Sequence, residues 1–401
     1  MAKSKYHVGL EIGTSTTRVV VAEVKPDFSA RILGLGQSRS AGVRKGEIHD
    51  LNHARASIKA TLLEAEDLSD VKIGSVFLAV SGGHIRGMNN RGTYRLPDEN
   101  TEVTDSHIME VEDIASDTNI PSDHAYIHTL ARHYRLDGQE SRTPPIGFYG
   151  KTLDADFHLV HGVKSRIQNT LKVARECSIE IEDIVFSPIA SAQVALNRER
   201  KEAGALVIDM GGGTTDYALY IQGAIYASGC IPIGGDHITN DIHLVSHIPL
   251  SMAEAVKVQH GDVSGSEDSM NGIITLEDEV GLNHSVVERK ILNKVISHRL
   301  KEILTLLQER LPEGIIKFIG TGIYLCGGVG KTKGISTVVN EIFPLPIYRP
   351  DQSEISGSTA LVKDPQLFTA IGLIHYAQIL EQDDAASVDG PLGFISKIFS
   401  K

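Results

Sequence analysis

Cysteine is scarce: Cys177, Cys230 and Cys326 are far apart among 401 residues and form no C-x-x-C pair. That excludes a disulfide framework and a cysteine zinc site, and fits free buried thiols in a reducing cytosol. No window reaches the ~18 consecutive apolar residues of a spanning helix. The start, "MAKSKYHVGLEIG", passes from a short basic stretch straight into a strand-like run, without the apolar core of a signal peptide. The expectation is a chain made and kept in the cytoplasm. Positive charge is also short: 39 Lys and Arg against 51 Asp and Glu give a net charge of −12, with no basic run to make a local exception. Nucleic acid is therefore not an expected partner. Among 17 histidines, His243 and His247 stand four apart, yet no carboxylate or cysteine cluster completes a metal site around them.

What is present is enough apolar residue, 41%, for more than one core in a chain of 401 residues. Single cores stop growing at roughly 250 to 300 residues, so two lobes are expected. Two stretches resemble each other, "YHVGLEIGTSTTRVVVAEV" from Tyr6 and "ALVIDMGGGTTDYALYIQG" from Ala205. Each reads as an apolar strand ending in an acid (Glu11, Asp209), a Gly turn, a Thr-rich corner and a second strand, which points to an internal duplication.

Around these hairpins helical and strand patterns alternate. Helical periods run through "NHARASIKATLLEAEDL", "SRIQNTLKVARECSI" and "SVVERKILNKVISHRLKEILTLLQERL"; "IGSVFLAVSG" and "TGIYLCGG" read as short strands. The polar segment 84–162 differs in texture and reads as an α+β insertion. Residues 381–389, "EQDDAASVD", are acidic and small and read as a linker. The end, "GPLGFISKIFSK" over 390–401, is amphipathic as a helix. Leu392, Phe394, Ile395, Ile398 and Phe399 share one arc, and Ser396, Ser400, Lys397 and Lys401 fill the rest.

A phosphate chain needs close backbone N–H donors, hydroxyls, and a carboxylate to hold the accompanying Mg²⁺ through its waters. "DMGGGTTD" offers Gly211, Gly212 and Gly213, Thr214 and Thr215, and Asp209 at the strand end; "EIGTSTTR" offers Gly13, Thr14, Ser15 and Thr16, with Glu11 in the acid's place. Facing each other, two such hairpins would grip phosphates from both sides. A third turn, "YLCGGVGKTKGI", follows a strand, and its Gly327, Gly328 and Gly330 could let backbone lie against a purine. In "MAEAVKVQHG", Glu254 and Lys257 share a helical face, where they could reach ribose hydroxyls or form a surface pair.

These motifs with "TAIGLIHYA", in this order, resemble the actin, Hsp70 and sugar-kinase superfamily, and within it the FtsA family of bacterial cell-division proteins. "GLEIGT", "FLAVSGGHI", "VFSPIASAQVAL" and "EAVKVQHG" carry the family likeness along nearly the whole chain. The resemblance implies a two-lobed actin-like fold, a duplicated ribonuclease H-like α/β architecture with an inserted α+β subdomain and a C-terminal amphipathic helix. The first large subdomain would comprise 1–83, 163–204 and about 366–380, with 84–162 inserted for self-association. The second would comprise 205–240 and 311–365, with a small subdomain at 241–310. ATP and Mg²⁺ would sit between the lobes. The small subdomain would receive the C-terminal tail of FtsZ, with Arg299 on its binding helix, and 390–401 would lie on the anionic cytoplasmic face of the inner membrane at the division site. Filament formation and recruitment of later division proteins complete what the resemblance implies.

Two features argue for slow hydrolysis. Filament-forming relatives that hydrolyse ATP briskly place Glu or Gln before the helix after the connecting strand, to orient water; here Ser187 stands there, and a hydroxyl is a poor base. Gln193 lies six residues on, and Glu11 replaces the more usual Asp. At most a weak ATPase is expected. A pilus-assembly adaptor of the same superfamily and a small-molecule kinase or phosphatase remain alternatives; the enzyme would need a catalytic Asp in the cleft, and neither alternative needs the amphipathic end. For that end, burial at about 1.5 to 3 kcal/mol per side chain is largely offset by ordering at ~1 to 2 kcal/mol per residue, so one tail binds weakly and an assembled array strongly.

Overall fold

The computed structural model describes residues 5–25, 29–98, 101–277, 284–348 and 363–386. The chain opens with hairpin β1 (Lys5–Ile12) and β2 (Thr16–Val24), then β3 (Ala30–Arg39), α1 (Leu51–Ser69) and β4 (Ser75–Val80). The insertion contributes β5 (Arg86–Arg95), α2 (Asp105–Ser116), β6 (His124–Leu136), β7 (Gln139–Ser141) and β8 (Thr152–Val163). The chain returns through α3 (Lys164–Arg175), β9 (Glu180–Phe186) and α4 (Ser187–Ala195). The second hairpin, β10 (Ala205–Met210) and β11 (Thr215–Ile221), leads to β12 (Ala224–Ile231), α5 (Gly235–Ser246), α6 (Leu250–His260) and α7 (Arg289–Arg310). Strand β13 (Gly322–Cys326), α8 (Ile335–Ile342), β14 (Ile347–Tyr348) and α9 (Phe368–Ala386) follow.

The first sheet has the order β3-β2-β1-β4-β9, with β1 antiparallel to β2 and parallel to β4. The second lobe repeats it as β12-β11-β10-β13-β14, with β10 antiparallel to β11 and parallel to β13. The duplication seen in two short motifs thus extends to whole-lobe topology. Both faces of the first sheet are covered. A Cβ on Gly36 would fall 2.1 Å from the Thr61 carbonyl of α1, and one on Gly9 would fall 2.4 Å from the Ala370 carbonyl of α9. Burial on both sides is why β2 reads as the unbroken apolar run Val19 to Ala22. Helix α1 begins where the Asp50 carboxylate accepts from the Asn52 and His53 amides at 2.9 and 3.0 Å.

Each lobe has its own apolar core, around Leu10, Leu78 and Phe186 in the first and Leu206, Leu300 and Phe343 in the second. The insertion has a third, around Val111, Leu153 and Phe157. Its sheet does not stand apart. The pair Arg86 and Gly229 joins β5 to β12, so one nine-stranded sheet runs from the insertion through the second lobe. Asn89 Nδ2 donates to the Tyr226 carbonyl at 3.0 Å, and His158 Nε2 lies 2.8 Å from Ser228 Oγ at the same seam.

Two sequence readings change. Residues 284–288 pair with Ile273–Glu277 as a hairpin, so the long helix begins at Arg289 rather than at Ser285. Residues 381–386, read as linker, extend α9. The proposed membrane residues Leu392, Phe394, Ile395, Lys397, Ile398, Phe399 and Lys401 lie outside the described residues. No described helix is long and apolar enough to cross a membrane.

Candidate functional site

The two hairpin turns have one construction and meet face to face. Gly13 N donates to Thr16 O at 3.2 Å, and Gly211 N donates to Thr214 O at 2.9 Å, closing equivalent four-residue turns. A Cβ on Gly212 would fall 1.9 Å from Ser15 Oγ, and one on Gly213 would fall 2.3 Å from Thr14 Oγ1. Glycine at these positions is what permits the approach. Between the lobes lies a cavity of about 550 Å³ whose wall includes Gly13, Thr14, Ser15, Thr16, Gly211, Gly212, Gly213 and Thr214.

Glu254, Lys257, Gly327 and Gly328 line the same cavity, from α6 and from the turn after β13. Lys257 Nζ lies 2.5 Å from Glu254 Oε2 and donates to Thr239 Oγ1 at 2.8 Å, so the two are paired as well as cavity-facing. Gly327 has φ +78°, and a Cβ there would fall 2.4 Å from the Met210 carbonyl. Two assigned residues are not part of the wall. The Thr215 side chain is fully buried and donates to the Ile233 carbonyl at 2.9 Å, because alternation along β11 turns it away from the cavity that Thr214 and Asp216 face. Gly330 lies two residues past Gly328, inside the short 3₁₀ turn Val329–Lys331, buried over Leu325.

Both strand-end acids reach the cavity. Glu11 accepts from Arg18 Nη1 at 3.3 Å; burial pushes its carboxyl up to about 7, with Arg18 opposing and the Asp209 charge reinforcing the rise. Asp209 accepts from Ser191 Oγ at 2.5 Å and Thr369 Oγ1 at 2.9 Å, and burial raises it too, against those donors. A third acid, Asp216, shares one hydrogen bond from Ser81 Oγ, 2.8 Å from both carboxylate oxygens, and accepts from Thr214 Oγ1 at 3.0 Å. Burial pushes it up to about 7. Of these three carboxylates only Glu11 has a paired cation, Arg18, and a cation held through water beside Asp209 and Asp216 would supply the compensation they lack. Among the described residues no group of three or more His, Cys, Asp or Glu could grip a metal directly. The donor set therefore fits an ion carried in on phosphate.

Ser187 also lines the cavity, and its Oγ donates to the Val80 carbonyl at 3.1 Å. Gln193 is turned away, accepting from Lys201 Nζ at 2.8 Å. Arg299 is not a free cation: Asp241 holds its Nε and Nη2 at 2.6 and 2.9 Å, and Glu302 holds Nη1 at 2.6 Å. It borders a second cavity of about 420 Å³, lined also by Leu244, Val245, Val295 and His298. Cys230 and Cys326 are buried, Cys177 is half-buried, and all three are free thiols.

The sequence reading missed Arg18, Ser81, Asp216, Ser191 and Thr369. Arg18 and Asp216 had a signal: each pairs across its own hairpin with the strand-end acid, Glu11 with Arg18 and Asp209 with Asp216. Ser81 follows the carboxyl end of a parallel strand, where open α/β sheets place ligands.

Residues 206–372 match the model of the family described as cell division protein FtsA, and residues 82–161 match that of the SHS2 domain inserted in it. The Pseudomonas aeruginosa cell division protein FtsA is 34% identical over 385 residues, 96% of this chain and 92% of that protein. The Escherichia coli K12 protein of the same name is 32% identical over 393 residues, covering 96% and 93%. Among solved structures, the PilM-PilN type IV pilus biogenesis complex aligns with a TM-score of 0.67 at 17% identity, covering 93% of this chain and 98% of that one. MreB5 of Spiroplasma citri bound to AMPPNP gives 0.59 at 17%, covering 96% and 99%. At such identities the structural likeness carries the fold alone, which is actin-like. The curated relatives carry more: the chain belongs to the FtsA family of cell-division proteins.

Proposed function

We propose that this chain is an ATP-binding adaptor that polymerises, tethers FtsZ filaments to the cytoplasmic face of the inner membrane at the division site, and recruits later division proteins. The observation that carries the reading is the cavity shared by two facing, equivalent turns, each offering backbone amides and hydroxyls. ATP would lie with its phosphates between Gly13–Thr16 and Gly211–Thr214 and its nucleoside toward Glu254, Lys257 and Gly327–Gly328. Glu11 and Asp209 would hold an accompanying Mg²⁺ through its waters, and the ion would supply neutralisation of phosphate charge there. MreB5, a structural neighbour, is described with AMPPNP, in keeping with this use of the fold.

Ser187, with its hydroxyl committed to Val80, is a poor activator of water, so nucleotide sets conformation and assembly more than it is turned over. Self-association would use the insertion, where Ile146, Phe148 and Tyr149 are 44, 66 and 64% exposed. The FtsZ tail would enter the groove beside Leu244 and Val245. Because Arg299 is already paired, apolar contact would carry that affinity and Arg299 would fix register. Residues 390–401 would anchor the assembly.

The test is co-sedimentation of FtsZ filaments with anionic vesicles. The full chain is expected to bring FtsZ down, removal of 390–401 to abolish it, and Arg299→Ala to weaken FtsZ capture about tenfold without changing vesicle binding. Equal recruitment by the truncated chain, or none by the full chain, would sink the proposal.

A further inference from the structure

The base of the insertion is fastened by histidines, and their partners fix which ring nitrogens carry hydrogen. His128 of β6 is buried, and its Nε2 lies 3.0 Å from the Phe186 amide at the end of β9 in the first lobe. A backbone N–H can only donate, so that nitrogen is a bare acceptor. His84, just before β5, takes the Val163 amide on Nδ1 at 3.1 Å in the same way, tying the two ends of the insertion together. His158 of β8 faces the second lobe. Asn89 Nδ2 is spent on the Tyr226 carbonyl, which leaves Oδ1 to accept His158 Nδ1–H at 2.7 Å. His158 Nε2 is then the acceptor for Ser228 Oγ–H at 2.8 Å. A fourth contact, between His124 Nδ1 and His161 Nδ1 at 2.8 Å, needs at least one neutral ring.

The first three bonds fail when the acceptor nitrogen takes a proton, and the surroundings oppose that proton. Burial pushes His84 down to about 4 and both His128 and His158 down to about 3; it lowers His161 as well. The charged groups nearby are mostly cations or other imidazoles: Arg132 and His128 beside His158, His124 beside His84, and His124 and Arg86 beside His161. Tyr376 lies against His128 with its hydroxyl on Asp183, and Glu47, paired with Arg166, meets His84 at Gly82. Between β5 and β12 the backbone pairing is the single pair Arg86 and Gly229, and the insertion keeps its own core around Val111, Leu153 and Phe157.

A released histidine titrates near its ordinary 6.5, so below that pH the released insertion binds more protons than the docked one. Docking therefore weakens as pH falls, by up to about tenfold per histidine for each pH unit. The lobes respond in the opposite sense. Burial raises Glu11 and Asp216 to about 7 and Asp183 to about 6, so acid favours their folded state.

We infer that the insertion is an acid-released subdomain: neutral histidines hold it against both lobes near neutral pH, and their protonation frees it while the lobes stay folded. The device uses no part of the nucleotide site and stands apart from the function proposed above.

The experiment is amide hydrogen exchange of the full chain between pH about 7.5 and about 5.5, expressed as protection relative to the intrinsic rate at each pH. Segments 84–90, 124–130 and 156–163 are expected to lose at least about tenfold in protection, while β1 and β10 keep theirs. His128→Gln and His158→Gln each keep an acceptor but cannot be protonated, and together they should shrink the loss at least about threefold. The wild-type profile decides the matter even if that variant fails to fold. Wild-type protection at the three segments that stays within about threefold overturns the inference, as does a parallel loss in β1 and β10 or a folded double variant with the wild-type pH dependence.

Discussion

The two hairpins are the same object solved twice. Each ends its first strand in an acid, closes a four-residue turn with a Gly N–H, and lays a second strand back in register. The first turn, Gly-Thr-Ser-Thr, presents hydroxyls; the second, Gly-Gly-Gly-Thr, presents bare backbone, and the hydroxyls of the first fit into the space left by the glycines of the second. Charge is handled differently as well. The first hairpin answers its acid internally, Glu11 with Arg18. The second sets two acids opposite each other and, besides Thr214 of its own turn, takes donors from the first lobe: Ser81 after β4, Ser191 in α4 and Thr369 in α9. One half of the cleft is electrostatically self-sufficient and the other is complete only when the lobes are together.

Filling the glycine space should disturb the pair most. Gly213→Val would place Cβ 2.3 Å from Thr14 Oγ1 and 2.8 Å from the Lys45 backbone, so the turns cannot meet. ATP affinity by calorimetry should fall about a hundredfold, the scale of an ångström-sized misplacement. Gly211→Ala, whose Cβ stays 3.4 Å from Thr214 O, should change it little. Equal losses at the two positions would contradict the account of the meeting turns.

The like-charge half makes a pH prediction. The unfolded Asp216 loses its proton near 3.8, and the folded one near 7, so between these values the folded chain binds the extra proton. Stability therefore falls as pH rises through that window, and the loss is complete above it. Asp216→Asn should flatten the melting temperature between pH 4 and 7 and raise it at pH 8, leaving the share due to Glu11, also near 7. An unchanged slope would show that Asp216 does not hold the proton. The smallest effect belongs to Ser187→Ala. With its hydroxyl donated to Val80, hydrolysis should change by less than about threefold, and a loss of tenfold or more would restore Ser187 as the water-positioning group.

What was legible in the sequence was local. Acid, glycine and threonine at fixed spacing marked both turns, and a change of texture set off the segment 84–162. What escaped depends on register or on distant partners. Arg18 and Asp216 matter because of the strand each faces, and Ser191 and Thr369 meet Asp209 from segments 18 and 160 residues away. The single pair Arg86 and Gly229 that fuses the insertion to the second lobe leaves no local pattern at all. The helical extension through 381–386 lacks an apolar period because it is propagated from α9, where each added residue needs no new nucleus.

The central claim is that the facing turns make one nucleotide site. Calorimetric titration of the full chain with ATP in Mg²⁺, beside Asp209→Ala, tests it most directly. Saturable one-site binding by the wild type and a loss of at least about a hundredfold in the variant is the predicted result; no binding by the wild type, or equal affinity in both, would contradict it.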